Sequence, residues 1–439
     1  MKFILPVIGT VAAVGLFAAT NYQQTAIAVE RPSNTETFQQ LELFADVLAR
    51  VRNDYVINVN DADLIEDAIN GMLQALDPHS SYVNPDGFRE LQTTTTGEYG
   101  GLGMEVLGQD GIVRVVSPID DTPADRAGIK AGDLITEIEG ESIIGLTTDE
   151  AVDQMRGRPG EPITITIVRE GEEKPLEFTM TREVIKRKVV THDVKDGIGY
   201  LRISQFNETT DKTLNEAVDA LRKEFSGRIP GIVLDLRSNP GGLLDQSVKV
   251  SSAFLDGGEV VSTRGRAAND TQRYNAQNGE LLPNIPLVVL IDNASASASE
   301  IVAGAIQDRS RGIVVGLTSF GKGSVQSIIP LRGGRDGALR LTTQRYYTPS
   351  GRSIQGTGIT PDIAVAALPD DGEGNERRSE SDLRNSIENE NSESGENEDK
   401  PLVVDYPPED FNVEDDYQLM KAIKILKDGS YNQRLAELK

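Results

Sequence analysis

Residues 286–301 read Pro-Leu-Val-Val-Leu-Ile-Asp-Asn-Ala-Ser-Ala-Ser-Ala-Ser-Glu-Ile, an apolar run followed by small residues and then by the start of a helix. An apolar run of this length is typical of a strand that is buried on both faces. Strands and helices alternate on either side of it, which predicts an α/β layer of parallel strands covered by helices. In such a layer, functional residues lie in the loops at the carboxyl ends of the strands. The strand-like runs are 199–206, 231–236, 286–291 and 313–316, and the helical ones are 211–225, 243–254 and 298–308.

The composition excludes several classes of function. The chain has 439 residues, enough for several domains, and its formal net charge of −25 disfavours binding to nucleic acid. It has no cysteine, which excludes disulfides, cysteine nucleophiles and thiolate metal sites. Its only histidines are His79 and His192, so a three-histidine zinc site is excluded. With so few histidines, we expect any acyl chemistry to use a general base other than imidazole.

The N-terminal part of the chain predicts export. Residues 1–28 have no charge after Lys2 and end in Ala26-Ile27-Ala28, which indicates a signal peptide cleaved after Ala28, with an uncleaved membrane anchor as the alternative. Residues 29–96 are assigned to an N-terminal helical region and the first part of the core, with amphipathic helices over 37–56 and 63–76. The second helix ends at a Pro-containing turn, where His79 is interpreted as a turn residue, with a catalytic role as the alternative.

Residues 97–185 change in texture to short β-branched runs separated by glycines, with one short helix over 148–155. This pattern predicts a small β-rich module inserted before the α/β core of residues 186–368.

The last two segments are an acidic linker and a helical tail. Residues 369–400 are acidic and nearly free of apolar side chains, so we expect them to be disordered. Residues 401–439 contain one more amphipathic helix over 417–426, with Gly429 as its C-terminal cap. This helix packs either on the core of its own chain or on a second subunit. Its expected buried face consists of Leu419, Met420, Ile423 and Leu426.

A group of serines lies between the strand and the helix of residues 286–301. A serine at such a turn can present its hydroxyl beside helix N–H groups that hold an oxyanion. The alternative is an ordinary helix cap with Glu300 close behind it. The three candidates are Ser295, Ser297 and Ser299.

A lysine follows the next strand, in Thr318-Ser-Phe-Gly-Lys-Gly-Ser-Val-Gln326. Lys322 lies between two glycines and close to Phe320, and a lysine that burial keeps neutral can act as a general base. A serine with a buried lysine is a known alternative to the histidine triad. A nucleotide phosphate loop is not supported, because Gly323 follows the lysine where that motif requires Ser or Thr.

Taken together, these motifs resemble those of the carboxy-terminal processing proteases, also called tail-specific proteases. These are serine endopeptidases that have a Ser/Lys dyad and a PDZ domain. The resemblance extends from about Thr37 to Ala367. It is carried by Ser-Ala-Ser-Ala-Ser-Glu-Ile-Val-Ala-Gly-Ala (295–305), Phe-Gly-Lys-Gly-Ser-Val-Gln (320–326), and the motifs at 77–82, 235–242 and 346–351.

The resemblance assigns roles within the α/β core. It implies Ser297 as the nucleophile, Lys322 as the general base and Gln326 as the residue that orients the lysine. The oxyanion donors it implies are the backbone N–H groups of Ala298, Gly241 and Gly242. Three further motif residues, Asp235, Arg237 and Glu300, are interpreted as structural supports. Asn293-Ala294 departs from the family pattern, which usually has a glycine before the serines.

By the same resemblance, the module at 97–185 is a PDZ domain. Its motif Ala127-Gly-Ile-Lys-Ala-Gly-Asp133 is typical of PDZ domains in exported proteases, which disfavours a plain glycine-rich hairpin. Arg156 resembles an arginine that couples peptide binding to the active site in some relatives, with a solvated arginine as the alternative. The carboxylate-binding loop would include Gly101, Leu102, Gly103 and Met104.

The resemblance thus implies a multidomain protein with a crotonase/ClpP-like layered protease core, an inserted PDZ domain and terminal helical segments. It implies a serine endopeptidase that cleaves exported proteins near or upstream of their C-terminus and needs no metal or other cofactor. The expected location is the periplasm or cell envelope, either soluble or anchored to the inner membrane. Expected partners are apolar C-terminal tails, an adaptor lipoprotein and further copies of the chain bound through the terminal helices. The alternatives are a tail-binding scaffold without catalysis and a crotonase-like acyl-CoA enzyme.

Overall fold

The computed structural model describes residues 34–109, 112–267, 269–369, 379–390, 403–412 and 414–438. The expected signal peptide or anchor, residues 1–28, lies outside these ranges. The chain divides into two units, one up to Ile65 and one from Glu66 onward, and each is described by itself. No helix within the described ranges combines the length and apolarity that a bilayer crossing requires.

The α-helices and strands are as follows. The helices are α1 (Asn34–Asp54), α2 (Asp61–Gln74), α3 (Pro85–Thr96), α4 (Pro123–Ala127), α5 (Thr148–Met155), α6 (Thr210–Glu224), α7 (Leu244–Ser252), α8 (Ala298–Asp308), α9 (Tyr417–Lys427) and α10 (Tyr431–Glu437). The strands are β1 (Ser81–Val83), β2 (Glu98–Gly101), β3 (Met104–Gln109), β4 (Ile112–Pro118), β5 (Leu134–Ile138), β6 (Glu141–Ser142), β7 (Pro162–Val168), β8 (Leu176–Thr181), β9 (Glu183–Lys186), β10 (Val190–Lys195), β11 (Ile198–Ile203), β12 (Ile232–Asp235), β13 (Glu259–Gly265), β14 (Thr271–Asn275), β15 (Leu287–Ile291), β16 (Ile313–Gly316), β17 (Ser324–Pro330), β18 (Ala338–Tyr347) and β19 (Ile363–Ala364).

A six-stranded sheet forms the centre of the core, in the order β10-β11-β12-β15-β16-β19. Its strands from β11 to β19 run parallel, and β10 is an antiparallel edge strand. Every residue of β15 is buried, because alternate side chains enter different apolar clusters on the two faces. Leu287 and Val289 pack with helices α6 to α8, whereas Val288 and Leu290 pack with α9. The predicted parallel layer covered by helices is confirmed.

A second, five-stranded sheet was not anticipated from the sequence. It has the order β1-β18-β13-β14, with β17 also paired to β18, and its neighbours are antiparallel. Val260, Val261 and Tyr346 of this sheet belong to the same apolar cluster as α8. The helix that follows the serines is therefore packed between the two sheets.

The β-rich module has its own core, which supports its assignment as a separate domain. Strands β3, β4, β5, β7 and β8 form an antiparallel sheet, with β6 paired to β5. Its apolar cluster includes Ile135, Ile163 and Ile165, which are each 1 % exposed or less. The chain enters and leaves the module through β2 and β9, which pair with Gly101 opposite Glu183. This two-stranded neck lies at the two ends of the predicted range 97–185.

The C-terminal helix α9 packs on the core of its own chain. Ala422 and Ile423 join Val288 and Leu290 in one apolar cluster on the sheet. Met420, which we expected on the buried face, is 52 % exposed, because the helix turns Ala422 and Ile425 to the sheet instead. Gly429 follows the helix with φ of 78°, a left-handed conformation that suits a C-terminal cap.

Part of the acidic segment 369–400 is ordered, contrary to the expectation of a disordered linker. Residues 379–390, here called the acidic strap, include a 3-10 helix over Glu380–Asp382. The Glu380 side chain is fully buried. The composition argument counted only apolar surface, whereas this carboxylate is buried through hydrogen bonds to the core.

Candidate active site

Three loops meet at the carboxyl edge of the six-stranded sheet, as predicted for a layer of this kind. They follow β12, β15 and β16 and carry Gly241, Ser297 and Lys322 respectively. The loops are packed closely, since a β-carbon placed on Gly241 would lie 2.8 Å from Ser297 Cβ and 3.0 Å from Ala298 N. The first and second loops therefore form one continuous backbone surface around the serine.

Ser297 differs from its two neighbouring serines in both backbone and side-chain environment. Its φ of 55° and ψ of −111° are rare for a residue with a side chain, and such strain is concentrated at functional sites. The hydroxyls of Ser295 and Ser299 donate to the carbonyl oxygens of Leu236 and Asn239, each at 2.9 Å. The structure thus distinguishes Ser297, which the residue pattern alone could not.

Tyr346 lines the same site and was not identified from the sequence as a site residue. Burial raises its pKa to about 12, and the neighbouring Ser297 hydroxyl acts against this rise. Its backbone N–H donates to Gly323 O at 2.7 Å, so the tyrosine also contacts the loop that carries the lysine. Tyr346 is therefore an uncharged neighbour of the serine.

The buried carboxylate of Glu300 joins the serine and lysine loops. Its Oε2 accepts the backbone N–H of Ser297 at 2.6 Å and that of Lys322 at 3.0 Å. Its Oε1 accepts the Ser319 hydroxyl at 2.6 Å and the Gly321 N–H at 2.7 Å. Burial raises the pKa of Glu300, and these four donors oppose the rise by stabilising the ionised form. Glu300 thus fixes the position of the serine loop relative to the lysine loop. This is the structural role predicted for it from the sequence.

Lys322 is largely buried, as the sequence predicted, and its surroundings favour the neutral amine. Burial lowers its pKa below the ordinary lysine range, because a charged ammonium loses hydration in the interior. Among the neighbouring charges, Glu380 opposes this effect most, Arg340 reinforces it, and Glu300 and Asp77 oppose it. The result is a lysine suited to accept a proton.

Gln326, which the resemblance assigns to orienting the lysine, lies on strand β17. Its Nε2 donates to Ser324 Oγ at 3.0 Å and to Thr342 Oγ1 at 3.1 Å. The Thr342 hydroxyl in turn donates to Asp77 Oδ1 at 2.9 Å, and the same oxygen accepts the backbone N–H of His79. Gln326 is thus held within a polar network beside the lysine loop.

The expected oxyanion donors lie around Ser297 and differ in their hydrogen bonding. Ala298 N is at the first position of α8, where helix N–H groups have no partner within the helix. The N–H of Gly241 donates to Asn239 Oδ1 at 2.9 Å. At Gly242, a β-carbon would lie 2.0 Å from Phe206 O, so the close approach of these two loops requires glycine there.

Gly241→Ala is expected to lower kcat/KM by about 10²-fold, since small displacements of reacting groups carry penalties of this size. The residue has φ of 102°, and the new β-carbon would lie 2.8 Å from Ala296 O, so the serine loop must shift. The matched control is Gly227→Ala, because Gly227 has φ of 91° but no atom within 4 Å of the added carbon. Steady-state kinetics and thermal melting of both variants check this. Equal activity losses in the two variants would contradict the assignment of Gly241 to the site.

The expected tail-binding loop lies where β2 passes into β3. Leu102 is buried, and Gly103 has φ of 77°, so the chain turns at this glycine. A groove of about 760 Å³ begins at Met104 and runs along β3. Leu107 and Val116, which line it, are 60 % and 49 % exposed. Because β3 is an edge strand of its sheet, an extended peptide can pair with it.

Arg156 lies at the end of α5, between the inserted module and the core. Its guanidinium carbon is 5.4 Å from the centre of the Tyr99 ring, and Nη1 is 3.9 Å from Glu90 Oε1. Tyr99 belongs to β2 and Glu90 to α3, so this arginine contacts the neck of the module and a helix of the core.

Asp235 and Arg237 attach the C-terminal helix to the sheet. Arg237 Nη2 donates to Asp235 Oδ2 and to Asp416 Oδ2, each at 2.6 Å. Ion-pair hydrogen bonds with Asp416 and Asp235 raise the pKa of Arg237 despite its burial. Ala294, where the family usually has glycine, lies outside the left-handed region, so a β-carbon fits there.

Sequence reasoning missed Glu380 as a site residue. His79 Nε2 lies 2.9 Å from its Oε1 and 2.8 Å from its Oε2. The sequence shows only the motif at residues 77–80 after α2 and an acidic residue within a polar segment, and neither predicts a contact between residues 301 positions apart.

In the part of the chain that the structure describes, no group of three or more His, Cys, Asp or Glu residues is placed to hold a metal ion.

The chain matches three families. Residues 197–365 match Peptidase family S41, residues 114–169 match the PDZ domain, and residues 5–87 match the activating protease CtpB N-terminal domain. These matches correspond to the core, the inserted module and the N-terminal part of the chain.

Related proteins cover most of the chain. A carboxy-terminal-processing protease of Bartonella bacilliformis is 49 % identical over 416 residues, which is 94 % of each chain. The carboxy-terminal processing protease CtpA of Bacillus subtilis is 34 % identical and covers 73 % of this chain and 68 % of its own. Among solved structures, the photosystem II D1 C-terminal processing protease is 29 % identical, with a TM-score of 0.43, over 76 % of this chain and 95 % of its own.

Proposed function

Because the chain belongs to the carboxy-terminal-processing proteases of peptidase family S41, and is therefore a serine-type peptidase with a PDZ domain, we propose that Ser297 and Lys322 form its catalytic dyad. The observation that carries this proposal is the pair of hydrogen bonds at Glu300 Oε2, which holds the backbones of both residues to one atom. The strained backbone of Ser297 and the burial of Lys322 support it further.

The proposed reaction proceeds through an acyl-enzyme. Neutral Lys322 accepts the hydroxyl proton as Ser297 Oγ attacks the peptide carbonyl carbon, and the carbonyl oxygen becomes an oxyanion. The N–H groups of Ala298 and Gly242 are the proposed donors to that oxyanion, with Gly241 joining if its bond to Asn239 is exchanged. The lysine then gives its proton to the leaving amine. A water molecule deprotonated by the same lysine hydrolyses the ester and restores the serine.

For Gln326 the proposal is a role in positioning the lysine through the surrounding polar network. Its Nε2 contacts Ser324 and Thr342, which lie on the strands adjoining the lysine loop.

For the core we propose a crotonase/ClpP-like layering, which the parallel strands between helical layers support.

The activity should depend on pH in the direction set by Lys322. Only the neutral amine accepts a proton, so kcat/KM is expected to rise with pH as Lys322 deprotonates, with a limb below the ordinary lysine range. Lys322→Arg should abolish cleavage at every pH, because a guanidinium stays charged. Circular dichroism provides the control for folding. A folded Lys322→Arg protein with the parental rate would overturn the dyad.

We propose that the PDZ domain binds the apolar C-terminal tail of the substrate. The chain turn at Gly103, the exposed edge of β3 and the apolar wall of the adjoining groove support this role. Backbone N–H groups of the loop over 101–104 would hold the terminal carboxylate, and the tail would pair with β3. Because Arg156 contacts Glu90 of α3 and Tyr99 of β2, we propose that it couples tail binding to the core.

Amidation of the substrate C-terminus is expected to lower kcat/KM about tenfold or more, since hydrogen bonds to a charged group are worth about 1.5–3 kcal/mol. The measurement compares an unstructured polypeptide with an apolar free C-terminus, its C-terminal amide, and the same polypeptide with an acetylated N-terminus as control. Equal rates for all three would show that the terminal carboxylate is not read. Tail binding to the Ser297→Ala protein without any cleavage by the parent would instead indicate a scaffold.

Export and self-association complete the proposal. Residues 1–28 would direct the chain to the periplasm or cell envelope, and the mass of the mature N-terminus tests cleavage after Ala28.

Because the apolar face of α9 packs on the sheet of its own chain, α1 is the favoured helix for association with a second copy. Three of its apolar side chains, Phe38, Leu41 and Phe44, are 64 %, 57 % and 45 % exposed. Sedimentation velocity of the full chain tests this assembly.

A further inference from the structure

The acidic strap crosses the core beside the lysine loop. At its start, the Glu380 backbone N–H donates to Phe320 O at 3.0 Å, two residues before Lys322. In its middle, Asn385 Nδ2 donates to Gln74 O at 2.8 Å. At its end, Glu390 Oε2 lies 3.5 Å from Arg345 Nη1. The strap is therefore attached to the core along its length.

Gln355 links the strap to the other side of the lysine. Its Oε1 accepts the Gly323 N–H at 2.9 Å, and its Nε2 donates to Glu380 Oε1 at 3.2 Å and to Ile387 O at 3.1 Å. Asn389 Nδ2 donates to Gln355 O at 2.8 Å. Phe320 and Gly323, which lie on either side of Lys322, are thus connected to the strap, the first directly and the second through Gln355.

The Glu380 carboxylate completes this arrangement from within the core. It is fully buried, and His79 Nε2 approaches both of its oxygens. His79 is itself attached by its backbone N–H to Asp77, which belongs to the polar network of Gln326. A charge buried at this point is screened less by water than a charge on the surface.

We propose that Glu380 is a positioning residue of the peptidase site, a carboxylate that the acidic strap places beside Lys322 to set the pH range in which the lysine is neutral and active. This proposal rests on the proposed role of Lys322 as general base. Four charged residues act on the lysine: Glu380 from the strap, Glu300 from α8, Asp77 from the turn after α2, and Arg340 from β18. Of the three acids, Glu380 has the largest effect, and it is the one that the acidic strap supplies.

The sign of the expected effect follows from the charges. A carboxylate near the lysine favours the ammonium form, which cannot accept the serine proton. Glu380→Gln retains the size and an acceptor oxygen but removes the charge, so the neutral amine should persist to lower pH. The acid limb of the kcat/KM profile should therefore move to lower pH. On the acid side of that limb the variant should be about tenfold faster than the parent protein.

The test compares full pH profiles of kcat/KM for the parent, Glu380→Gln, and a matched control in the same strap. Glu388→Gln removes the same charge from an exposed position eight residues later and should leave the limb in place. Arg340→Gln removes a cation that favours the neutral amine, so its limb should move to higher pH. A limb that is unmoved in Glu380→Gln, or moved equally by Glu388→Gln, would overturn the proposal.

Two further variants keep the outcome interpretable. If Glu380→Gln does not fold, as judged by thermal melting, Glu380→Asp retains the charge at a greater distance and should move the limb in the same direction by a smaller amount. An unmoved limb in that variant would overturn the proposal. Lys322→Arg distinguishes a failure of the proposed base from a failure of the proposed role of Glu380. If it remains active, the proposed base is wrong, whereas an inactive Lys322→Arg with an unmoved Glu380→Gln limb refutes only the role of Glu380.

Discussion

Ser297→Ala is expected to lower kcat/KM for a polypeptide with an apolar C-terminus by at least about 10³-fold, as the loss of a nucleophile does in other serine peptidases. The two neighbouring serines, one in the same loop and one in the first turn of α8, provide matched controls. Ser295→Ala removes a hydroxyl that donates to Leu236 O, and Ser299→Ala removes one that donates to Asn239 O. Ser299→Ala should lose about 1 kcal/mol of stability, the usual net worth of one hydrogen bond, and Ser295→Ala should lose more, because its Oγ also accepts the Asp292 N–H at 2.9 Å. Both controls should remain active enzymes.

The three variants can be told apart by kinetics and urea unfolding measured together. Ser297→Ala should lose about 1 kcal/mol of stability, as Ser299→Ala does, since its hydroxyl is hydrogen-bonded to Tyr346. The assignment of the nucleophile would be refuted if Ser297→Ala kept the parental rate. It would also be refuted if the large loss of activity occurred in Ser295→Ala or Ser299→Ala instead.

Glu300→Gln is expected to lower both stability and kcat. An amide has one oxygen to accept hydrogen bonds, and its NH₂ group would face two of the four donors that the carboxylate now satisfies. A buried donor without an acceptor costs about 1–3 kcal/mol, so the total loss of stability should be about 2 kcal/mol or more. Since two of these donors are the N–H groups of Ser297 and Lys322, the serine and lysine loops should separate and kcat should fall about 10²-fold.

Asp362→Asn is the matched control for Glu300→Gln. Asp362 is a partly buried carboxylate whose pKa burial raises, and it accepts Val314 N–H at 2.7 Å and Gln307 Nε2 at 2.9 Å. It lies near the start of β16, at the opposite edge of the sheet from Lys322. Its replacement should lower the melting temperature but leave kcat of the folded protein unchanged. Full activity in Glu300→Gln would show that the two loops hold their positions without the carboxylate.

The core sheet was predictable because its strands are buried on both faces. A run such as residues 286–291 has no interpretation as an exposed element, and the loops after such strands must meet at one edge. The five-stranded sheet was not predictable in the same way. Strand β18 contains Thr342, Thr343 and Gln344, and the polar side chains in this run do not alternate with apolar ones as those of a half-buried strand do.

The candidate site was predictable in its residues but not in its connections. The pattern placed a serine and a lysine after adjacent strands, yet three serines were equivalent until their hydrogen bonds were known. The contact between His79 and Glu380 joins positions far apart in the chain, and no local periodicity encodes it. Burial of Glu380 depends on partners from three separate segments, so a composition rule applied to residues 369–400 alone assigned it to a disordered region.

The paired strands β2 and β9 give the inserted domain its entry and exit at one point. Among the residues that the structure describes, the strands of the two core sheets lie outside 102–182, and the strands of the domain's own sheet lie within it. The inserted domain is therefore joined to the core through a single pair of strands. A different module whose ends lie one strand spacing apart, joined at Glu98 and Lys186, is expected to leave the fold of the core unchanged. Under the proposed tail-binding role of the domain, this exchange would also change the choice of substrate.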